Sequence, residues 1–204
     1  INEMILYKSD GTSSGTILLK DFNSTYSGLM GTQMISWNNK IFFTAAASEL
    51  DNELWVTDGT TTQMVADINP NSGSFPNLTN SVVLKNKLVF SAANDTTGTE
   101  LWMTDGTASG TSILKDINTY DSIGSNPVLF PIISLNLSGN GLNYDRSKTF
   151  NGYVFFSADD STHGQALWKT DGTEVNTVMV KDLNPSGNSV TGPYFYTKEG
   201  FIFS

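Results

Sequence analysis

The chain has 204 residues, 38% of them hydrophobic and 11% aromatic, which is enough to bury the core of one domain or one compact repeat array. Its net charge of −9, from 11 basic and 20 acidic residues, argues against a nucleic-acid partner, whose phosphates need clustered Lys and Arg, and against docking on an anionic membrane. The absence of Cys excludes disulfides, thiolate catalysis and Cys-ligated zinc, and no apolar run approaches the roughly 20 residues that insert across a bilayer.

In chain order, the first element is ILYKSDGT (5–12), followed by the β-prone run TILLKDF (16–22). The next is ISWNNKIFFTA (35–45), two short runs around Asn38-Asn39, which reads as a hairpin because Asn tolerates the positive φ of a tight turn. ELWVTDGT (53–60) and QMVADI (63–68) then repeat the opening pattern. The series recurs as VVLKNKLVFSA (82–92), ELWMTDGT (100–107) and SILKDI (112–117). It recurs again as KTFNGYVFFSA (148–158), ALWKTDGT (166–173) and VMVKDL (178–183), and FYTKEGFIFS (195–204) is a last hairpin. The Asp of each Asp-Gly pair, Asp10, Asp58, Asp105 and Asp171, recurs with a period of about 47 residues, with about 19 extra residues before the last copy.

Each unit therefore contains four short strands joined by hairpin connections. The link to the next unit, typified by NPNSGSFPNLTN (69–80), is long and rich in Asn, Gly, Ser and Pro. That combination predicts an all-β fold, a β-propeller of four-stranded antiparallel blades. The units are expected at 1–33 with 194–204, 34–80, 81–146 and 147–193, with an insertion at about 119–147. A single domain of four blades, closed by two strands from each chain end, is the expected architecture.

The copies at 53–60 and 100–107 resemble the ELWxxDGT repeats of large exported bacterial surface proteins, which are often adhesin-like. The fuller pattern ELWxxDGTxxGTxLVKDI is matched at 100–117, whereas Tyr7 stands for Trp in the first copy, Ala166 for Glu in the last, and Asn176 for its second Gly. The resemblance implies an extracellular or cell-surface binding module, part of a larger exported protein or assembly, with a glycan or surface protein as partner. A structural spacer is the alternative it leaves open.

Trp55, Trp102, Trp168 and Tyr7 fall on the third strand of each unit, where a large ring packs between adjacent sheets. In the turn that follows, Asp accepts backbone amide hydrogens, Gly supplies a positive φ and Thr bonds locally, so the motif reads as turn chemistry. Asp21, Asp67, Asp116 and Asp182 end the fourth strands and are expected to cap loops, with Lys20, Lys115 and Lys181 pointing to solvent.

Candidate site residues lie outside the repeated motifs. Asp159 and Asp160, in the loop SADDSTHG (157–164), are candidate calcium ligands, since hard cations take six to eight oxygens. No other cofactor is expected. In the insertion, Tyr144, Asp145 and Arg146 follow a Gly-Asn-Gly and are candidate binding residues on a loop, while PVLFPII (127–133) reads as a cover for a blade edge or the crossover, with an exposed partner-binding patch as the alternative. Ser122, within Asp-Ser-Ile, is similar to an O-glycosylation acceptor of some bacteria that export such proteins. His163 is the one His and reads as a surface residue; with no catalytic constellation in the spacing, the chain is not expected to be an enzyme. A carbohydrate-active enzyme would require two facing acids roughly 5–9 Å apart.

Overall fold

The computed structural model describes residues 5–22, 33–46, 48, 51–120, 122–130, 132–135, 142–145, 149–189, 195–196 and 201–202. Of these, 132–135, 142–145, 195–196 and 201–202 are described as backbone. Every regular element among them is a β-strand, and every pairing is antiparallel.

Strands β1 (Ile5–Lys8) and β2 (Ile17–Asp21) form a two-stranded sheet. β3 (Met34–Trp37), β4 (Lys40–Ala46), β5 (Asn52–Thr57) and β6 (Thr62–Ala66) follow as a four-stranded meander. β7 (Asn77–Leu84), β8 (Lys87–Asn94), β9 (Gly98–Thr104) and β10 (Ser112–Lys115) repeat it as a second sheet. The third four-stranded sheet is formed by β11 (Val128–Leu129), β14 (Val154–Asp159), β15 (Gln165–Thr170) and β16 (Val178–Lys181). Two further hairpins, β12 (Ile132–Leu135) with β13 (Leu142–Asp145) and β17 (Phe195–Tyr196) with β18 (Phe201–Ile202), are sheets of their own. Among the described residues β1–β2 and β17–β18 are separate sheets, so the expected two-plus-two sheet from the chain ends is not seen there.

The hairpin turns have the chemistry the sequence predicts. Asn38 and Asn39, Lys85 and Asn86, and Asn151 and Gly152 all have positive φ at both central positions, the signature of a type I′ turn whose twist matches its strands.

The core lies between stacked sheets. Phe22 and Leu6 of the first hairpin pack with Phe43, Ala45, Trp55 and Met64 of the first full sheet. Phe42, Leu54 and Val56 on its other face meet Leu88, Phe90 and Trp102 of the second. Val89, Leu101 and Met103 in turn meet Phe156, Ala158 and Trp168 of the third. The three tryptophans of the repeated motif, Trp55, Trp102 and Trp168, thus sit between sheets, as expected for residues that bury 150–250 Å² each. Tyr7 departs from this: it is 56% exposed, because none of the clusters above covers the face of β1–β2 that it shares with its cross-strand partner Leu18.

The third sheet also corrects the unit boundary. Its first strand is Val128–Leu129, paired with Ser157 and Phe156, and Phe130 N–H donates to Phe155 O. The chain then leaves the sheet and rejoins it at Phe150, which bridges to Tyr153. The β12–β13 hairpin is therefore spliced into the middle of a strand, and the expected boundary at 146/147 falls inside one sheet. β7 has a bulge at the matching place, between Asn77 and Val82. A bulge already interrupts the ladder, so lengthening it costs no further cross-strand hydrogen bonds.

Candidate functional site

The repeated motif is consumed by architecture, and its Glu has a role that reading the turns alone does not give. Glu53 and Glu100 are fully buried on β5 and β9. Glu53 accepts N–H bonds from Ile68 (3.3 Å), Asn69 (3.4 Å) and Ser74 (3.0 Å) and the Ser74 hydroxyl, all from the crossover to the second sheet. Glu100 does the same with Asn118 N–H (3.1 Å), Ser125 N–H (2.9 Å) and the Ser125 hydroxyl in the next crossover. Each carboxylate satisfies backbone donors that the irregular crossover cannot pair in a ladder. Burial raises both carboxyls above the ordinary Glu value, against the opposing pull of these hydrogen bonds. The third sheet has Ala166 here, and Ser189 instead donates to Gln165 O (3.2 Å) and Asp182 Oδ1 (3.4 Å).

In the Asp-Gly-Thr turns, Asp10, Asp105 and Asp171 each accept the N–H and the hydroxyl of the Thr two residues on. Asp58 accepts from Thr60 and Thr61 N–H, both at 2.8 Å. The second Gly of the pattern is explained by the same carboxylate: a Cβ on Gly110 would lie 2.0 Å from Asp105 Oδ1, and on Gly15 1.9 Å from Asp10 Oδ1. Where Asn176 replaces it, the side-chain amide donates to Asp171 Oδ2 at 3.0 Å. These hydrogen bonds hold Asp10, Asp58 and Asp105 below the ordinary carboxylate value, and Thr173 holds Asp171 well below it.

The turns at Gly59, Gly106 and Gly172 lean on the preceding sheet. Gly106 meets Phe42, Gly172 meets Leu84 and Met103, and Lys85 pairs with Asp171 at 3.1 Å. Two of the three strand-end lysines correct the expectation of solvent exposure. Lys115 Nζ donates to Thr177 O of the next sheet at 2.9 Å, and Lys20 lies over the Trp55 ring, 5.5 Å from its centre; Lys181 is exposed. Among the strand-end acids Asp182 caps Asn184 N–H as expected, whereas Asp116 Oδ1 is buried with no hydrogen-bond partner and burial raises its carboxyl.

The candidate calcium ligands turn back onto their own loop. Asp159 Oδ1 accepts Ser161 N–H at 2.7 Å. Asp160 Oδ1 accepts Thr162 and His163 N–H, and its Oδ2 is 2.8 Å from His163 Nδ1. Burial alone would raise the Asp160 carboxyl, but His163 and these amides outweigh it and hold it low, while Asp160 raises the imidazole above its ordinary value. Among the described residues no three His, Asp or Glu side chains gather as metal ligands.

Tyr144 and Asp145 lie on β13, opposite Ile133 and Ile132, so the stretch expected as a loop is strand up to Asp145; Arg146 lies outside the described residues. PVLFPII does not cover a blade edge but supplies one: Val128–Leu129 is the edge strand itself. Ser122 is exposed in the crossover between the second and third sheets.

No protein-family model matches the chain, and no curated protein is found similar to it. Among solved structures it is similar to an α-L-arabinofuranosidase (CtGH43) from Clostridium thermocellum, at 13% identity and a TM-score of 0.29, over 88% of this chain and 83% of that one. This corrects the expectation that the chain is not an enzyme: the solved structure it matches is one, and the non-catalytic assignment is withdrawn. A likeness of this degree transfers neither fold nor reaction.

Proposed function

We propose that the chain is a β-propeller binding module of a larger exported, cell-surface protein, recognising a glycan or a surface protein through loops that the repeat does not constrain. The observation that supports this reading is the division of labour in the structure. Glu53, Glu100 and the Asp-Gly-Thr turns are committed to internal hydrogen bonds, while the β12–β13 hairpin is added to one sheet alone at a tolerant bulge. Additions hung on a rigid scaffold are where recognition residues concentrate, and Tyr144, Asp145 and Arg146 belong to this one. In the propeller reading the three stacked sheets are consecutive blades. Exposed Ser122 is the proposed glycan acceptor on the same chain.

The test is a glycan-array and cell-surface binding screen of the chain beside a variant lacking residues 131–148. The excision spares Phe130 and Phe150, which flank the splice, together with Ser125 and Leu129. Binding lost with the hairpin, in a variant that still unfolds cooperatively, supports the reading. Undiminished binding moves recognition off the hairpin, and no binding by either protein favours a structural spacer.

A further inference from the structure

Phe75 is the one residue in the crossover between the first and second sheets whose conformation and exposure both run against its type. Its φ is +47°, in the left-handed region that bulky side chains avoid, and it precedes Pro76, which ordinarily confines the residue before it to extended backbone. The chain contains its own control. The sister crossover reads Gly124-Ser125-Asn126-Pro127 against Gly73-Ser74-Phe75-Pro76, and the matching residue, with φ of +46°, is Asn126, a type that adopts this backbone readily. The fold is therefore satisfied by Asn here, yet the first crossover carries an aromatic ring that is 51% exposed.

The backbone that carries the ring is also held in place. Phe75 N–H donates to Asn52 O at 3.0 Å, Ser74 O accepts Ala93 N–H at 2.8 Å, and Ser74 is tied to buried Glu53. Along the chain exposure alternates: Phe75, Asn77 and Thr79 are exposed while Pro76 and Leu78 are buried. The three exposed residues thus cluster at the entry to β7, the edge strand that lies beside β11, where Asn77 Oδ1 accepts Thr79 N–H at 3.0 Å.

We propose that Phe75 is a stacking platform for one ring of a neutral saccharide, with Asn77 and Thr79 as the polar side chains beside it. A sugar presents an apolar C–H face to an aromatic ring and hydroxyls at its rim, which matches one rigid ring followed by an amide and a hydroxyl. A single ring is too small for a protein interface, which buries about 800 Å² per partner, and the net charge of −9 disfavours acidic sugars. This inference rests on the reading of the chain as a glycan-binding module and adds a second contact point, on residues outside the hairpin.

Affinity electrophoresis through gels containing xylan, mannan, laminarin or starch tests it, with wild type, Phe75→Asn, Phe75→Trp and the variant lacking 131–148 run together. The expected result is retardation of wild type by at least one polymer, weakened about tenfold or more in Phe75→Asn and kept in Phe75→Trp. Phe75→Asn, which installs the sister residue, is expected to melt no lower than wild type. Retardation of Phe75→Asn within twofold of wild type overturns the platform. If the excised variant then loses binding, the hairpin reading survives without it. Absence of retardation of wild type by all four polymers also overturns the platform, and the cell-surface screen then decides the broader reading separately.

Discussion

Ser74 donates both its N–H and its hydroxyl to the buried carboxylate of Glu53, and Ser125 does the same to Glu100 in the next sheet. Replacing the acceptor leaves the donors buried and unpaired. Glu100→Ala strands Asn118 N–H, Ser125 N–H and the Ser125 hydroxyl, and is expected to cost about 3 kcal/mol. Urea unfolding checks this as a fall in midpoint at constant slope.

The two classes of carboxylate give pH dependences of opposite sign. Glu53 and Glu100 are raised, so the folded state binds their protons more tightly; their contribution is full below the ordinary Glu value and is lost as pH rises through the folded value. Asp10, Asp58, Asp105 and Asp171 are lowered, so theirs is present above the ordinary Asp value and lost as pH falls below it. Stability measured by denaturant from pH 3 to 7 is expected to drop at the acid end, and Glu53→Gln with Glu100→Gln removes the decline just above the Glu range.

Gly110 and Asn176 occupy the same place in successive turns, one excluded from carrying a Cβ by Asp105 and the other hydrogen-bonded to Asp171. Gly110→Ala is expected to destabilise by about 1–3 kcal/mol, while Asn176→Gly costs less than about 1 kcal/mol. A large loss from Asn176→Gly in thermal unfolding contradicts this account of the pattern.

His163 is the one imidazole, so its proton NMR titration reads a single group. Asp160 raises it above the ordinary 6.5, and Asp160→Asn is expected to bring it back. The ion pair's contribution is present below that ordinary value and fades as pH rises through the folded one. An unchanged titration in Asp160→Asn overturns the pairing.

The strands and turns were legible because they repeat. Asn38-Asn39 and Asn151-Gly152 announce their turns by residue type, and the tryptophans recur at one strand position. Glu53 and Glu100 were visible in the motif, but their Ser partners lie 21 and 25 residues on, a distance no local pattern spans. The first strand of the third sheet was misplaced for a related reason. Two residues, Val128 and Leu129, carry no alternation to detect, and the splice puts the rest of the strand beyond β13. The Lys115 clamp was missed because the next sheet supplies its acceptor, Thr177 O.

The lean of the last three Asp-Gly-Thr turns on the sheet before them gives the stack a direction. Lys8 receives Gly59, Phe42 receives Gly106, and Leu84 with Met103 receives Gly172, so every seat is made from residues that precede its turn. During synthesis the seat leaves the ribosome before the turn that occupies it. Each new sheet is thus delivered onto a finished template, and the chain can assemble in the order in which it is made.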